Sequence, residues 1–257
     1  MKMTNRTVLI TGGTSGIGLT LANSLVERGN IVIVTGRDQS KLTSVSKAFP
    51  RLYVVRSDVT KPDDIRRLYE EILSRFPKLD VLVNNAGIMR NLKLVEPHSL
   101  EDITREVDIL LTGAIRMVQQ FLPHLLQRDE AAIVNVSSGL AFVPMPVSPV
   151  YSAAKAALHA YTQSLRAQLS DTSINVIELA PPPVETELFR GEFAEEMKGR
   201  SAMAPDKLVK QTLAAIEAGR TEIRPGAANI LKIASRIAPD FIFKQMVKLG
   251  QPRNRPI

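Results

Sequence analysis

The stretch TVLITGGTSGIGLTLANSLVERG, residues 7–29, combines a strand pattern, a glycine-rich turn and a helix pattern in that order. The apolar run at residues 7–10 predicts a buried strand, and the spacing of the apolar residues after Gly18 predicts a helix. Gly12, Gly16 and Gly18 lie in the turn between the two. Because glycine has no Cβ, a phosphate can approach the backbone N–H groups at the start of the helix. The stretch therefore predicts a dinucleotide-binding unit at the beginning of a parallel sheet.

Strand and helix patterns continue to alternate after this unit. Further strands are predicted at residues 30–35, 52–56, 79–83, 133–136 and 174–179, and helices at residues 40–49, 62–76 and 99–126. No internal repeat or low-complexity linker divides them. This order predicts an α/β fold, a Rossmann-type doubly wound parallel sheet in a single domain that covers residues 1–226.

The composition is ordinary for a globular protein of 257 residues, with 44% hydrophobic and 23% charged residues. No apolar run approaches the ~20 residues that a membrane-spanning helix needs. The first residues lead directly into a strand, which leaves no room for a signal peptide. The sequence has no cysteine, which excludes disulfides and thiolate metal ligands. We therefore expect a cytoplasmic protein without a metal site.

The basic residues concentrate in the last quarter of the sequence. The net charge is +7, and residues 198–257 hold 12 Lys and Arg against 4 Asp and Glu. Residues 227–257 form a basic C-terminal tail, in which Ile230, Ile233 and Ile237 have the spacing of an amphipathic helix. Two interpretations stay open: the apolar face packs on the protein's own domain or on a partner subunit, or the basic helix contacts an anionic membrane surface. The sequence carries no nucleic-acid-reading motif, so we expect no nucleic acid partner.

The stretch NVSSGLAFVPMPVSPVYSAAK, residues 135–155, carries the candidate catalytic groups. Ser148 followed by proline predicts a helix start, and Tyr151 and Lys155 project from one face of that helix. An ammonium close to a phenol lowers the pKa of the phenol, which would suit the tyrosine for proton donation to a carbonyl oxygen. Ser138 lies just beyond a predicted strand, at the edge where open α/β sheets bind ligands. Taken alone, the Tyr–Lys pair is a weak motif, because such pairs also arise by chance.

The ends of the predicted strands supply candidate cofactor contacts. Gly36 stands at the end of the second strand, where an acidic residue would bind the ribose of NAD, and the guanidinium of Arg37 beside it could pair with the 2′-phosphate of NADP. Asp38 is the counter-argument, since a shift of two residues would restore an acid at that place. Asp58 either accepts a bond from the adenine amino group or caps a turn, and the Asn85 amide could bridge strands and touch the ribose. On balance these features favour NADP over NAD.

The motifs together resemble those of one known family. TGGTSGIG, NNAG at residues 84–87, Ser138, Tyr151-x-x-x-Lys155 and a proline turn before Thr186 occur in the order typical of the short-chain dehydrogenases/reductases. More narrowly, the chain resembles oxidoreductases encoded beside teichoic-acid D-alanylation genes in Gram-positive bacteria. The resemblance implies that Tyr151 is the acid/base and that Ser138 orients the substrate oxygen. It also implies that Lys155 holds the nicotinamide ribose and lowers the tyrosine pKa, and that Thr186 contacts the carboxamide.

This resemblance covers residues 7–224 and implies a set of cofactor contacts. They are Gly12, Thr14, Ser15, Gly16, Ile17, Gly18, Arg37, Asp58, Val59, Asn85, Tyr151, Lys155, Val184 and Thr186. Residues 186–204 correspond to the family's variable substrate lid, and the segment EFAEEMKGRSAM within them has helical character.

Two positions depart from the family pattern. The family usually has an asparagine at the place of Leu110, where it anchors a water that relays protons to the lysine, and a leucine cannot hold that water. Thr112 lies about 200° further round the helix and cannot simply replace it. Pro182 stands where the family usually has glycine; proline stiffens this turn without removing the cofactor contact.

The resemblance implies an NADP-dependent oxidoreductase. It would transfer hydride between the nicotinamide and a carbonyl or secondary alcohol of a small-molecule substrate, and it would form a homodimer or homotetramer. Neither the substrate nor the direction of the reaction follows from the sequence. Leu110 motivates an alternative, a cofactor-binding sensor or scaffold protein of cell-envelope metabolism with little or no turnover.

Overall fold

A computed structural model of the chain describes residues 1–194, 199 and 201–249. The strands of this part are β1 (Thr7–Thr11), β2 (Ile31–Gly36), β3 (Tyr53–Arg56), β4 (Leu79–Asn84), β5 (Ala131–Val136), β6 (Ile174–Leu179) and β7 (Glu222–Ile223). They form one sheet in the order β3-β2-β1-β4-β5-β6-β7. All neighbouring strands are parallel, as the alternation of elements predicted.

Helices connect the strands and cover both faces of the sheet. They are α1 (Gly16–Glu27), α2 (Gln39–Ala48), α3 (Pro62–Arg75), α4 (Leu100–Ile103), α5 (Arg105–Val107), α6 (Gly113–Leu125), α7 (Pro149–Gln168), α8 (Glu187–Arg190), α9 (Pro205–Glu217), α10 (Ala227–Ile237) and α11 (Pro239–Leu249). A π-helical turn at Asp108–Thr112 precedes α6, and a short 3-10 turn at Gly139–Ala141 follows β5.

The hydrophobic core has two layers because side chains alternate along each strand. On one face, Val8 and its neighbours pack against buried residues of α1 and α9, such as Leu25 and Leu213. On the other face, Leu9 packs in a layer with residues of α3, α6 and α7, among them Phe121. Two covered faces and a parallel sheet make a doubly wound Rossmann-type fold, which confirms the predicted fold class.

The strand order reverses between β1 and β4, and this reversal positions the site. The helix after β1 and the helix after β4 lie on opposite faces of the sheet, so a crevice opens beyond the carboxyl ends of these strands. The glycine-rich turn follows β1, the Asn84–Asn85 pair ends β4, and Ser138 follows β5. Motifs that are far apart in the sequence therefore meet at one edge.

The region predicted as one helix at residues 99–126 is interrupted. It consists of α4, α5, the π-helical turn and α6. Helix-like spacing of apolar residues continues through the turn, so the sequence pattern could not reveal the break. The short strand β7 was not predicted, because two residues are too few to show an alternating pattern.

The C-terminal helices α10 and α11 have the helical structure expected for this part of the tail, and their inner faces pack near the turn after β5. A Cβ placed on Gly139 would lie 3.3 Å from Cδ1 of Leu231 in α10. Met246 of α11 is buried in a cluster with Phe189 and Phe193. Residues 195–198 and 200 of the predicted lid and residues 250–257 of the tail lie outside the described residues. Within the described part, no helix combines the length and apolarity that crossing a membrane requires.

Candidate active site

The turn between β1 and α1 packs tightly against the end of β4. Gly12 has a φ of +64°, and a Cβ at this residue would lie 2.7 Å from Cα of Ala86. A Cβ on Gly18 would lie 2.5 Å from Nδ2 of Asn85 and 2.5 Å from the carbonyl oxygen of Gly12. Only glycine fits at these two positions. Ser15 precedes the helix and makes no side-chain capping bond, so the hydroxyl and first-turn N–H groups lie at the place where a phosphate would bind.

An amide network joins the ends of the central strands. Nδ2 of Asn85 donates to the carbonyl oxygens of Thr11 and Gly12, both at 3.0 Å. Nδ2 of Asn84 donates to Oδ1 of Asn135 at 2.9 Å. Asn85 therefore bridges two strands, one of the roles considered for it, and this fixes the floor of the crevice.

The edge of the crevice near β2 is basic. The Asp38 carboxylate caps α2 by accepting from the N–H groups of Ser40 and Lys41. The hydroxyl of Ser40, which also donates to this carboxylate, together with these N–H groups holds the pKa of Asp38 below its usual value. Arg37 is exposed, and its carbonyl oxygen accepts a bond from Nε of Arg56 at 3.2 Å. The structure thus brings a second arginine to this edge. The sequence analysis missed Arg56, although its place at the end of the third strand was a usable signal.

The other predicted cofactor contacts line the same edge. Thr14 lies beside the end of β2, since a Cβ on Gly36 would be 3.0 Å from Cγ2 of Thr14. Thr186 faces the glycine-rich turn, because a Cβ on Gly16 would be 3.3 Å from Cγ2 of Thr186. The Thr186 hydroxyl also caps α8 by accepting from the N–H of Phe189.

Four further predicted contacts are wholly or partly engaged in the protein's own structure. Oδ1 of Asp58 accepts from the N–H and hydroxyl of Thr60 at 3.0 and 2.8 Å, so Asp58 does cap a turn. Val59 and Val184 are buried, and Ile17 is partly buried against the core. These three side chains shape the crevice walls through packing.

Ser138, Tyr151 and Lys155 meet at the carboxyl end of β5. The predicted helix start is confirmed at Pro149, and Ser148 occupies the N-cap position without a side-chain capping bond. Tyr151 is 7% and Lys155 4% exposed. Nζ of Lys155 donates to the carbonyl oxygen of Val136 at 2.6 Å and lies 5.6 Å from the centre of the Tyr151 ring.

The electrostatics of this group correct one expectation. Burial raises the pKa of Tyr151 to about 12, with a hydrogen bond to Ser138 acting in the opposite direction and the charge of Glu106 adding to the rise. Burial lowers the pKa of Lys155 to about 7, against the opposing effect of Glu178. The Tyr151 pKa is therefore raised, opposite to the lowering that was expected from Lys155. The ammonium is itself desolvated and directed at a backbone carbonyl, so the burial of the phenol dominates.

Leu110 lies at the place where the family usually has asparagine. It sits in the π-helical turn, is 2% exposed and packs with Tyr151 and Ala154. A cavity of about 10 Å³ lies among Leu110, Asn84 and Lys155, close to the smallest volume that can hold one water molecule. Oδ1 of Asn84 is buried and has no hydrogen-bond partner within the described residues. Asn84 lines this cavity, so a buried acceptor without a partner belongs to its wall.

The chain's residues fit a dinucleotide. The Gly12–Gly18 turn would receive the pyrophosphate at the N-terminus of α1. Arg37 and Arg56 would lie on the adenosine side, and Tyr151 and Lys155 on the nicotinamide side. Among the described residues, two more buried ionisable groups adjoin these elements: Glu106 of α5, which acts on Tyr151, and Glu178 of β6. The sequence analysis missed Glu178, although an acid inside the apolar run INVIEL was a visible signal.

Comparisons with known proteins agree with this geometry. The family model for short chain dehydrogenases matches residues 6–197. The uncharacterized oxidoreductase DltE of Bacillus subtilis (strain 168) is 40% identical over 247 residues, which cover 96% of this chain and 98% of the relative.

Solved structures of similar proteins include nucleotide complexes. A short chain dehydrogenase from Burkholderia cenocepacia J2315 in complex with NADP superposes with a TM-score of 0.82 and 28% identity, covering 96% of this chain and 99% of the other. The 3-ketoacyl-(acyl-carrier-protein) reductase from Brucella melitensis, complexed with NADH, has a TM-score of 0.75 and 28% identity over 83% of this chain and 91% of the other.

Proposed function

The chain belongs to the short-chain dehydrogenase family, and from this premise we propose that it transfers hydride between NADP(H) and a carbonyl or secondary alcohol of a small molecule. The observation that carries the proposal is the meeting of Ser138, Tyr151 and Lys155 beside the glycine-rich crevice. Its kinship with DltE-type oxidoreductases makes oxidoreductase the reaction class, and the substrate is the part that experiment must supply.

Each catalytic side chain has one role in the proposed reaction. The cofactor, when bound, supplies or accepts the hydride. Tyr151 gives its hydroxyl proton to the carbonyl oxygen during reduction and takes it back during oxidation. Ser138, whose hydroxyl opposes the rise in the Tyr151 pKa, orients the same oxygen. Lys155 holds the ribose and places a positive charge near the developing negative charge.

The protonation state of Tyr151 suits proton donation. With a pKa of about 12, the phenol is neutral at pH 7 and so carries the proton that carbonyl reduction consumes. Lys155, with a pKa of about 7, is only partly charged at that pH before cofactor binds. The phosphates of a bound dinucleotide would favour its charged form.

NADP is the proposed cofactor because the adenosine edge is basic. Asp38 is engaged in capping α2, whereas Arg37 and Arg56 lie side by side at the ends of β2 and β3. Two guanidinium groups suit a phosphate dianion. Titration of the protein's effect on cofactor fluorescence should give tighter binding of NADPH than of NADH. Failure of both to bind at millimolar concentration would reject the proposed function.

The runner-up is a cofactor-binding sensor or scaffold protein of cell-envelope metabolism, which Leu110 favours because it closes the usual proton path. A panel of aldehydes, ketones and sugars assayed for NADPH oxidation separates the two. Oxidation of NADPH with any member supports the enzyme. Tight NADPH binding with no oxidation across the panel supports the sensor or scaffold.

We also propose a peripheral membrane contact through the outer face of α10 and α11. Ile230, Ile233, Ile237 and Phe241 are 52–78% exposed and follow one another along the two helices. The exposed Lys244 and Lys248 of α11 flank this apolar stripe. Apolar side chains beside lysines suit the interface of an anionic bilayer.

Vesicle co-sedimentation tests this contact. Binding should be stronger to anionic than to neutral vesicles and should fall in an Ile237→Ser/Phe241→Ser variant. We further propose a cytoplasmic homodimer or homotetramer, because the family often oligomerises, and light scattering measures its mass. If the variant breaks the oligomer and leaves vesicle binding unchanged, the stripe is a subunit interface and the membrane proposal is wrong.

A further inference from the structure

A carboxylate lies buried between the catalytic strand end and the catalytic helix. Glu178 of β6 is 0% exposed. Its Oε1 accepts a hydrogen bond from Oγ of Ser137, and its Oε2 lies 2.7 Å from Nδ1 of His159. Both partners adjoin the active site, because Ser137 directly precedes Ser138 and His159 follows Lys155 by about one turn of α7.

We propose that Glu178 is a positioning residue for the hydride-transfer site: its negative charge maintains the ammonium form of Lys155, and its two hydrogen bonds fix the end of β5 to α7. The consequence for catalysis rests on the proposed function, in which Lys155 holds the ribose and supplies positive charge. The electrostatic part concerns the protein alone and can be tested without a substrate.

The burial of Lys155 disfavours its charged form. An ammonium that is only 4% exposed loses most of its hydration, and its hydrogen bond to the Val136 carbonyl oxygen replaces only part of it. Desolvation is the largest influence on its pKa and lowers it, whereas the Glu178 carboxylate raises it. The Glu178 carboxylate therefore favours the charged form of Lys155.

Other charged groups around this array are already paired. Glu222 of β7 lies near Glu178, since one ligand atom from each of His159, Glu178 and Glu222 falls within 4.8 Å of the others. Glu222 forms ion pairs with Arg224 and Lys232.

Arg224 and Lys232 together carry two positive charges against the single negative charge of Glu222. Glu222 and its two partners therefore add no net negative charge near Lys155. On the opposite side, Glu106 of α5 acts on Tyr151, and Tyr151 itself is neutral at pH 7. Glu178 is therefore the carboxylate of this array whose negative charge raises the pKa of Lys155.

The two hydrogen-bond partners of Glu178 are themselves held by neighbouring groups, and this fixes the position of the carboxylate. Ser137 also takes part in the sheet edge, since its N–H donates to the Leu179 carbonyl oxygen at 2.7 Å. His159 lies edge-on to the Phe142 ring, with the ring centres 5.1 Å apart. Glu178 is thus held by Ser137 on one side and by His159 on the other. Its hydrogen bonds therefore join the segment that carries Ser138 to the helix that carries Lys155.

The test is an NMR titration of lysine labelled with ¹³C at Cε, in the full-length protein without cofactor. The Lys155 signal is assigned by its loss in Lys155→Met. In Glu178→Gln the titration midpoint of Lys155 should fall by about one unit, the lower end of what a nearby opposite charge produces. The matched control is Glu222→Gln, which removes a carboxylate of the same cluster that is not among the groups acting on Lys155, so the midpoint should fall by less than in Glu178→Gln.

Two further variants separate charge from structure. Ser137→Ala removes a hydrogen bond but keeps the charge, so the midpoint should not move. Glu178→Met replaces a buried charge by an apolar side chain of similar length, which proteins often tolerate. If Glu178→Gln does not fold, the Lys155 midpoint is measured in Glu178→Met instead. Equal midpoints in wild type and both Glu178 variants would overturn the proposal. A silent substrate panel would reject the proposed function and leave this result valid.

Discussion

Leu110→Asn tests how protons reach the active site. The family's asparagine is absent here, and the side chain at its place is an apolar group packed against Tyr151. We expect the substitution to open a path from the small cavity beside Lys155 to the π-helical turn. Turnover should then rise on any substrate for which reprotonation of Tyr151 limits the rate. The rise should stay within the roughly 10²-fold that marks the lower end of acid–base contributions.

The burial of Leu110 also indicates how much the substitution lowers the free energy of unfolding. Leu110 is 2% exposed, and removing a buried leucine side chain in favour of alanine costs about 2–5 kcal/mol. The new amide could donate to the unpartnered Oδ1 of Asn84, which would recover about 1 kcal/mol. We therefore expect the free energy of unfolding to fall by about 1–4 kcal/mol, measured by urea denaturation.

Steady-state kinetics in H₂O and D₂O are the assay. Wild type should have the larger solvent isotope effect, and Leu110→Asn the smaller one together with the higher rate. Leu110→Ala is the control, because it makes space without an amide and should restore less activity. If Leu110→Asn folds but changes neither the rate nor the isotope effect, another group or bulk water carries the proton.

Three further predictions follow from the geometry. Arg37→Ala and Arg56→Ala should each weaken NADPH far more than NADH in fluorescence titrations; equal losses would exclude a phosphate contact. Gly18→Ala should abolish binding of both nucleotides, since the new Cβ would lie 2.5 Å from the Gly12 carbonyl oxygen, and unchanged binding would refute the tight turn. Because the pKa of Lys155 is lowered to about 7, the unfolded state binds more protons between pH 7 and 10, and stability should rise with pH in that window. From pH 7 to 9, wild type should gain about 2 kcal/mol relative to Lys155→Met in urea unfolding; no difference would show that the lysine is not desolvated.

The parts of the fold that local patterns encode were predictable from the sequence. The strand Ile174–Leu179 and the helix start at Pro149 were predicted at the observed residues, because an apolar run and a serine–proline pair act locally. The π-helical turn at Asp108–Thr112 was not, since its helix-like apolar spacing hides a change in hydrogen bonding.

The identity of the site residues was predictable from the sequence. The burial and the charges around their side chains were less predictable. Motif spacing brought Ser138, Tyr151 and Lys155 forward as one group, and the structure places them at one edge. The direction of the Tyr151 pKa depends on how deeply the phenol is buried, which no spacing reports. Glu178 and Arg56 were not predicted as site residues, because their neighbours come from strands that are distant in the sequence.

The most direct test of the central claim is NADPH oxidation by wild type and Tyr151→Phe, with Tyr161→Phe of the same helix as the matched control. On a carbonyl substrate found in the panel, Tyr151→Phe should lose at least about 10²-fold in turnover while NADPH binding is kept. Tyr161→Phe should retain the wild-type rate, because Tyr161 packs in the core layer behind the sheet. Equal turnover by wild type and Tyr151→Phe would contradict the assignment of the proton donor and with it the proposed mechanism.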